Sequence, residues 1–194
     1  MIPAFSGKGF SSMTDNLGEI ILNHYEKFLG AYIGADKYAD KSRGLQILGF
    51  DKVFGNSLTF ATFGLSNYVE DINALCEAVM TVDGDYDNCA ALLANVAFYI
   101  IQNKIDFGRG VFIGGLDNVA RGFSKAHNKS ALYFTEPYAF PEEFSRAGEC
   151  EMLSAFFITE RESEFIKQNG ADAFEDILEE RGVDVIALDR PSAV

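Results

Sequence analysis

An α+β (mixed α/β) single domain, with a mixed β-sheet and helices packed on both of its faces, is the fold class this sequence predicts. Three observations lead there. Strand-like and helix-like runs are interleaved, but without a regular strand–helix–strand rhythm. Residues 88–103 are apolar nearly all round a helix, which predicts a deeply buried one. Glu151–Ile158 is apolar on both faces, as a central strand covered on two sides requires.

Residues 1–14 read as an irregular N-terminal segment and 15–194 as the domain. Ser12 and Asp15 fit a capping box. Leu17, Ile20, Ile21, Tyr25, Phe28 and Leu29 then recur at helical spacing, and Gly30 ends the helix. Residues 34–44 are polar and predict a loop. Leu45–Phe50 and Leu58–Phe63 read as strands joined through Gly55-Asn56. In Leu75–Val82, Cys76, Ala78, Met80 and Val82 face one way, while Leu75, Glu77, Val79 and Thr81 face the other. Asp83-Gly-Asp-Tyr-Asp-Asn is an acidic turn, where Asp85 and Asp87 suit the N-terminus of the helix that follows. Residues 106–129 hold five glycines and read as loops around a short strand, Val111–Ile113. Ala131–Phe134 is a strand. Thr159 and Glu162 form a second capping box and open a helix that stops at Asn169-Gly170. Another helix covers about 171–181 and stops at Gly182, and Val183–Leu188 reads as a last strand.

The composition is that of a globular chain: of 194 residues, 48% are hydrophobic and 23% charged. The 18 Phe and 8 Tyr supply a thick core. A net charge of −13 repels nucleic acid and anionic membranes, so neither is expected as a partner; a basic protein is. Acidity also aids solubility. Three cysteines at wide spacing, without a CxxC pair, fit neither a disulfide framework nor a zinc site, and a reducing compartment suits them. The N-terminus has no signal-peptide pattern. The longest apolar run, Cys89–Ile101, falls short of the about 20 residues that span a bilayer. A cytoplasmic protein is expected.

Catalytic patterns are sparse. His24 borders the apolar stripe of the first helix and reads as a structural histidine. His127 lies in a polar loop and reads as solvated. The 83–88 turn resembles the start of a calcium loop, but Asn88 stands where glycine is needed and Ala94 where a bidentate acid is needed. Gly7-Lys8-Gly9 and Gly108-Arg-Gly110 match no phosphate-binding loop and read as turns. Cys76 and Cys89 sit among apolar neighbours and read as core. No cofactor, metal or catalytic residue is expected.

The local irregularity is acidic. Residues 171–181 carry Asp172, Glu175, Asp176, Glu179 and Glu180 beside the inward stripe Phe174, Ile177 and Leu178. Glu175–Glu179 and Asp176–Glu180 are like-charge pairs one turn apart, each destabilising by roughly 0.2–0.5 kcal/mol. Glu179 and Glu180 also lie at the negative end of the helix dipole. A ridge of unpaired carboxylates is therefore expected. It reads either as a solvated face or as a partner-binding surface that steers a basic protein.

Several segments together resemble the suppressor-of-fused domain family. They are His24-Tyr-Glu-Lys-Phe-Leu-Gly30, Thr59-Phe-Ala-Thr-Phe-Gly-Leu-Ser66, and Leu75-Cys-Glu-Ala-Val-Met80 before the long apolar helix. Phe157-Ile-Thr-Glu-Arg-Glu162 and Asp184-Val-Ile-Ala-Leu-Asp-Arg-Pro-Ser192 complete the set. The resemblance spans about residue 15 to the C-terminus and brings no catalytic residues. Animal members bind and restrain a transcription factor using a second domain, for which this chain is too short. Its size and ending look closer to bacterial single-domain members, encoded beside polymorphic toxins including the LXG type, which serve as antitoxins or immunity proteins.

The expected function is thus non-catalytic: an immunity protein that neutralises a cognate toxin with a basic surface by direct binding. One alternative is a small-molecule-binding protein or enzyme with a site assembled from scattered residues, the glycine-rich 106–122 forming a lid or wall. A deep pocket holding a titratable pair would favour it. Another is an adaptor for a non-toxin partner. Oligomeric state is not legible.

Overall fold

The computed structural model describes residues 11–83 and 88–194, with side chains from Asn16 onward. Its strands are β1 (Gly34–Asp40), β2 (Arg43–Asp51), β3 (Leu58–Phe63), β4 (Cys76–Val82), β5 (Phe112–Gly114), β6 (Ala131–Thr135), β7 (Arg146–Ala147) and β8 (Cys150–Ile158). Its α-helices are α1 (Ser11–Leu29), α2 (Val69–Ile72), α3 (Cys89–Asn103), α4 (Phe123–His127) and α5 (Glu160–Glu180). The strands form one mixed sheet in the order β1-β2-β3-β4-β8-β6-β5, with β7 paired to the start of β8. The central β4–β8 pair is parallel, and its neighbours are antiparallel. This is the α+β class expected, with helices on both sheet faces.

Alternation along β4 and β8 decides what lies on each face. Cys76, Ala78, Met80 and Val82 of β4, with Leu153, Ala155 and Phe157 of β8, pack under α3. Ten residues of α3 are buried, which explains its apolar circumference. Burying each large apolar side chain contributes roughly 1.5–3 kcal/mol. On the opposite face two separate clusters form. Ile21, Tyr25 and Leu29 of α1 cover Leu48, Phe50, Val79 and Met152. Ile166, Phe174 and Leu178 of α5 cover Tyr133, Phe156 and Ile158.

Several expectations are corrected. Residues 34–44 are not a loop: they hold β1 and a tight hairpin, Asp40 pairing with Arg43 and Lys41 adopting φ 55°. β1 is an edge strand exposed along most of its length, so no apolar alternation marked it. Residues 183–188 are not a strand. The segment is held by Asp83, whose amide donates to the Ile186 carbonyl (3.0 Å) and whose carboxylate accepts from the Leu188 amide (2.8 Å). The glycine-rich 106–129 includes α4 as well as β5. His127 is not simply solvated, because its Nδ1 lies 2.8 Å from the Asp189 carboxylate. The Ser12–Asp15 capping box, the Gly7–Gly9 turn and the Asp85 and Asp87 caps lie outside the described residues and side chains.

Two buried glutamates lock the frame. Glu77 of β4 is fully buried, and its carboxylate accepts from the Thr62 and Ser66 hydroxyls (2.6 and 2.8 Å) and from the amides of Gly64, Leu65 and Ser66. Gly64 reaches this position at φ 108°. Glu162 completes the expected capping box with Thr159. Its carboxylate also takes Arg190 Nη1 at 2.6 Å and the Ala193 amide at 2.7 Å, tying the C-terminal segment to α5. Lys129, itself buried, donates to the Arg190 carbonyl at 2.6 Å.

Removing one member of a buried ion pair leaves a buried charge uncompensated. Arg190→Met is therefore expected to lower stability by about 3–5 kcal/mol in urea unfolding. Adding Glu162→Gln should restore part of that loss. A single variant as stable as the parent would show that the pair does not hold the C-terminal segment.

Candidate functional site

The two apolar clusters on the α1/α5 face of the sheet do not meet. Along β8, Cys150 and Met152 belong to the α1 cluster and Phe156 and Ile158 to the α5 cluster, with Ser154 between them. Thr81 of β4 and Thr135 of β6 stand beside the same gap. The result is a cleft of about 660 Å³. Its floor carries three hydroxyl residues.

One wall is aromatic. Phe54 and Phe140 meet edge to face with centroids 4.9 Å apart, and Phe140 stacks on Phe144 at 4.2 Å. Behind them His24 stacks on Phe144 and its Nε2 bonds the Phe144 carbonyl at 2.9 Å, the structural role expected of it. Burial lowers the His24 pKa. The other wall is Leu178 of α5 with Val183, Val185 and Ile186. Part of the apolar run at 183–188 therefore lines a cleft.

At one end the carboxylate of Glu175 gathers five donors from four residues. Arg109 Nη2 and Nε donate at 2.5 and 2.9 Å, the Tyr133 hydroxyl at 2.7 Å, the Thr135 hydroxyl at 2.5 Å and the Tyr138 hydroxyl at 3.0 Å. Burial opposes ionisation of Glu175, but the donors from Thr135, Tyr133, Arg109 and Tyr138 outweigh it and hold its pKa below the ordinary value. The Arg109 guanidinium is held further into its charged range by Glu175 and Asp172. Gly110 lets Arg109 reach this place. It has φ 86°, and a Cβ there would lie 3.0 Å from the Ala171 side chain.

The expected ridge of unpaired carboxylates thus divides. Glu175 is not unpaired, and its side chain is only 10% exposed. Asp172 meets Arg109 at 2.7 Å. Asp176 and Glu179 are exposed at the cleft rim, opposite Glu136, and none of the three is paired with a described residue. Glu180 is exposed but does not line the cleft. The sequence reading missed Tyr138, 64% exposed at the rim, and the hydroxyl floor. The signal was present in Ser154, the small polar residue inside the apolar run Met152–Ile158. The three cysteines are buried, and burial raises their thiol pKa values, that of Cys89 to about 12. Among the described residues no group of His, Cys, Asp or Glu could hold a metal ion, and no helix is long and apolar enough to cross a membrane.

A mixed sheet clad by helices, opened on one face by an acid-rimmed apolar cleft, defines a class of fold and surface but no reaction. Residues 41–191 match the Suppressor of fused protein (SUFU) family, and the chain belongs to that family. It is 27% identical over 182 residues to the immunity protein YqcF of Bacillus subtilis, covering 86% of this chain and 93% of that one. A suppressor of fused homologue from Neisseria gonorrhoeae has the same fold, with a TM-score of 0.74 at 15% identity over 93% of this chain and 98% of that one. The Sufu–Fu complex structure gives a TM-score of 0.55 at 14% identity, over 95% of this chain and 92% of that one.

Neutralising the acidic helix should have opposite effects along its length. Glu175→Gln is expected to cost about 2 kcal/mol, the scale for losing bonds to a charged group. Asp176→Asn or Glu180→Gln should stabilise the protein by roughly 0.2–0.5 kcal/mol, through relief of their repulsion. Glu162 and Glu175 both hold pKa values below the ordinary 4.5. Such groups contribute stability that is present above that value and lost as pH falls through the lowered folded value. Urea midpoints measured from about pH 6 down to about pH 3 should therefore fall, and fall less in Glu175→Gln. Identical profiles would show that Glu175 carries no linked proton.

Proposed function

We propose that this protein is a non-catalytic immunity protein or antitoxin that neutralises a cognate toxin by direct binding, with residues 15–194 as its suppressor-of-fused-like domain. The observation that carries the reading is the acid-rimmed apolar cleft. Apolar walls and exposed Tyr138 provide desolvated anchor positions, and free carboxylates at Asp176 and Glu179 surround them. Membership of the SUFU family and likeness to a protein named as an immunity protein support a protein partner. A net charge of −13 suits a toxin with a basic surface and speeds encounter with it. Toxins of nucleic-acid chemistry carry such surfaces. The working place of the protein is the cytoplasm, where such a toxin would act.

A second reading has one observation in its favour. The cleft holds a titratable pair, Glu175 with Arg109, on a wall drawn from the glycine-rich segment. That is the arrangement expected of a small-molecule site. The pair's atoms are already taken up by each other and by Tyr133, Thr135 and Tyr138, so the cleft offers a ligand mainly apolar walls.

Cells that express a toxin encoded beside this gene should survive when the protein is co-expressed, and the two should co-purify. The charge reversal Asp176→Lys/Glu179→Lys should slow association about tenfold or more at low salt, with the difference shrinking as salt rises. The absence of both protection and co-purification, for every neighbouring gene product, would remove the immunity reading.

A further inference from the structure

We propose that the cleft receives one face of a basic amphipathic helix from the partner protein. The proposal rests on the protein-binding reading above and deepens it.

The geometry of the covering layer carries the first step. On the α1/α5 face, helices cover the sheet at both ends and leave a cleft between them. Its walls carry the half-buried Phe54, Phe140, Val183, Val185 and Ile186, set around Ser154 and above the buried Val79, Phe156 and Leu178. Apolar side chains lining one concave place mark an interaction site.

The second step concerns backbone. The floor of the cleft is the face of β4, β8 and β6, away from either sheet edge. The backbone there is already paired: Ala155 of β8 is registered with Met80 on one side and Phe134 on the other. An extended segment lying on this floor would find no ladder to join, and its own amides and carbonyls would be desolvated without partners. A helix satisfies its backbone internally and presents only side chains, so it fits where a strand does not. Seated between α1 and α5, it would complete the layer that the chain leaves open.

Charge fixes the chemistry of its flanks. Glu136, Asp176 and Glu179 stand at the rim, unpaired with any described residue. The cation of the site, Arg109, is held by Asp172 and Glu175 and cannot answer them. Lysines or arginines beside the apolar face of the incoming helix would. Apolar side chains of the cleft walls then govern residence, and rim charges govern encounter.

The test uses the full chain and a synthetic helix of leucine and lysine, about 14 residues or roughly four turns. A peptide of the same composition, with its leucines scattered round the helix, serves as control. The amphipathic peptide should shift the methyl resonances of Val79, Leu178, Val183, Val185 and Ile186. It should bind at least about tenfold more tightly than the scattered one. Ser154→Phe fills the floor, and Asp176→Lys/Glu179→Lys reverses the rim; each should weaken binding about tenfold or more. Should Ser154→Phe fail to fold, Ala139→Trp narrows the cleft from its exposed wall. Equal binding of the two peptides, or shifts spread over the acidic surface with the cleft methyls unmoved, overturns the proposal. A second arm separates the two readings. If the parent protein protects toxin-expressing cells and a folded floor-filled variant protects equally, the cleft proposal fails while the immunity reading stands. If the parent itself does not protect, the immunity reading fails, and the peptide result alone decides the cleft.

Discussion

Keeping both faces of the β4–β8 pair out of water is the constraint on which the rest of the structure depends. These two parallel strands lie at the middle of the sheet, and nearly every side chain on them is buried. One face is sealed by the apolar helix α3 together with Ile72, Phe107, Leu116, Phe123 and Leu188. The other face needs α1 and α5 together, and they reach it from opposite ends. Where they fall short, the strands change chemistry: Thr81, Ser154 and Thr135 replace the large apolar residues found on either side. Thr81 bonds the Thr59 hydroxyl and Thr135 the Glu175 carboxylate, so both stay buried with partners, while Ser154 is half-buried. The cleft is therefore the place where helical cover gives way to these hydroxyls.

The frame was largely legible because it obeys local periods. β4 announced itself by alternation, β2 and β3 as short strand-like runs, β8 by being apolar on both faces, α3 by its all-round apolarity, and the two parts of α5 by a capping box and the break at Gly170, which adopts φ 88°. β1 was not legible. An exposed edge strand has no buried face, so its residues follow no apolar period. Residues 183–188 misled for the converse reason: their apolar side chains go to a cleft wall, lined by Val183, Val185 and Ile186, and to the core, where Leu188 is buried. The site itself was half legible. The acidic residues of α5 were visible as a group, but the division among them depends on Arg109, 66 positions away from Glu175. Local periodicity carries no information about a contact at that distance.

The segments that carry the family resemblance turn out to be structural. Gly64-Leu65-Ser66 supplies the amides that surround Glu77. Thr159 and Glu162, with Arg190-Pro191-Ser192, form the clasp between α5 and the C-terminal segment. Motifs of this kind report mainly how the sheet and its clasp are held, although Val185 and Ile186 of the last segment also line the cleft. A shared frame therefore leaves the partner unspecified. In the proposed reading that information would lie in Tyr138 and in the free carboxylates of the rim, none of which the frame requires.

The pairing of Arg109 gives the rim its character. Had Arg109 been free, it would have stood beside Asp176 and Glu179 and offset much of their charge at a range where exposed groups still interact. Held by Glu175 and Asp172, it spends its charge inside the wall, and Gly110 is the residue that allows so close an approach. The same contacts order Tyr138 at the mouth of the cleft through its bond to Glu175. Pre-ordering an aromatic side chain reduces the entropy lost when a partner lands on it. A single ion-paired arginine thus does three things at once: it stabilises the α5 wall, leaves the rim anionic and holds an aromatic ring beside apolar walls. The proposed capture of a basic protein, by charge at the rim and by burial between the walls, rests on those three features.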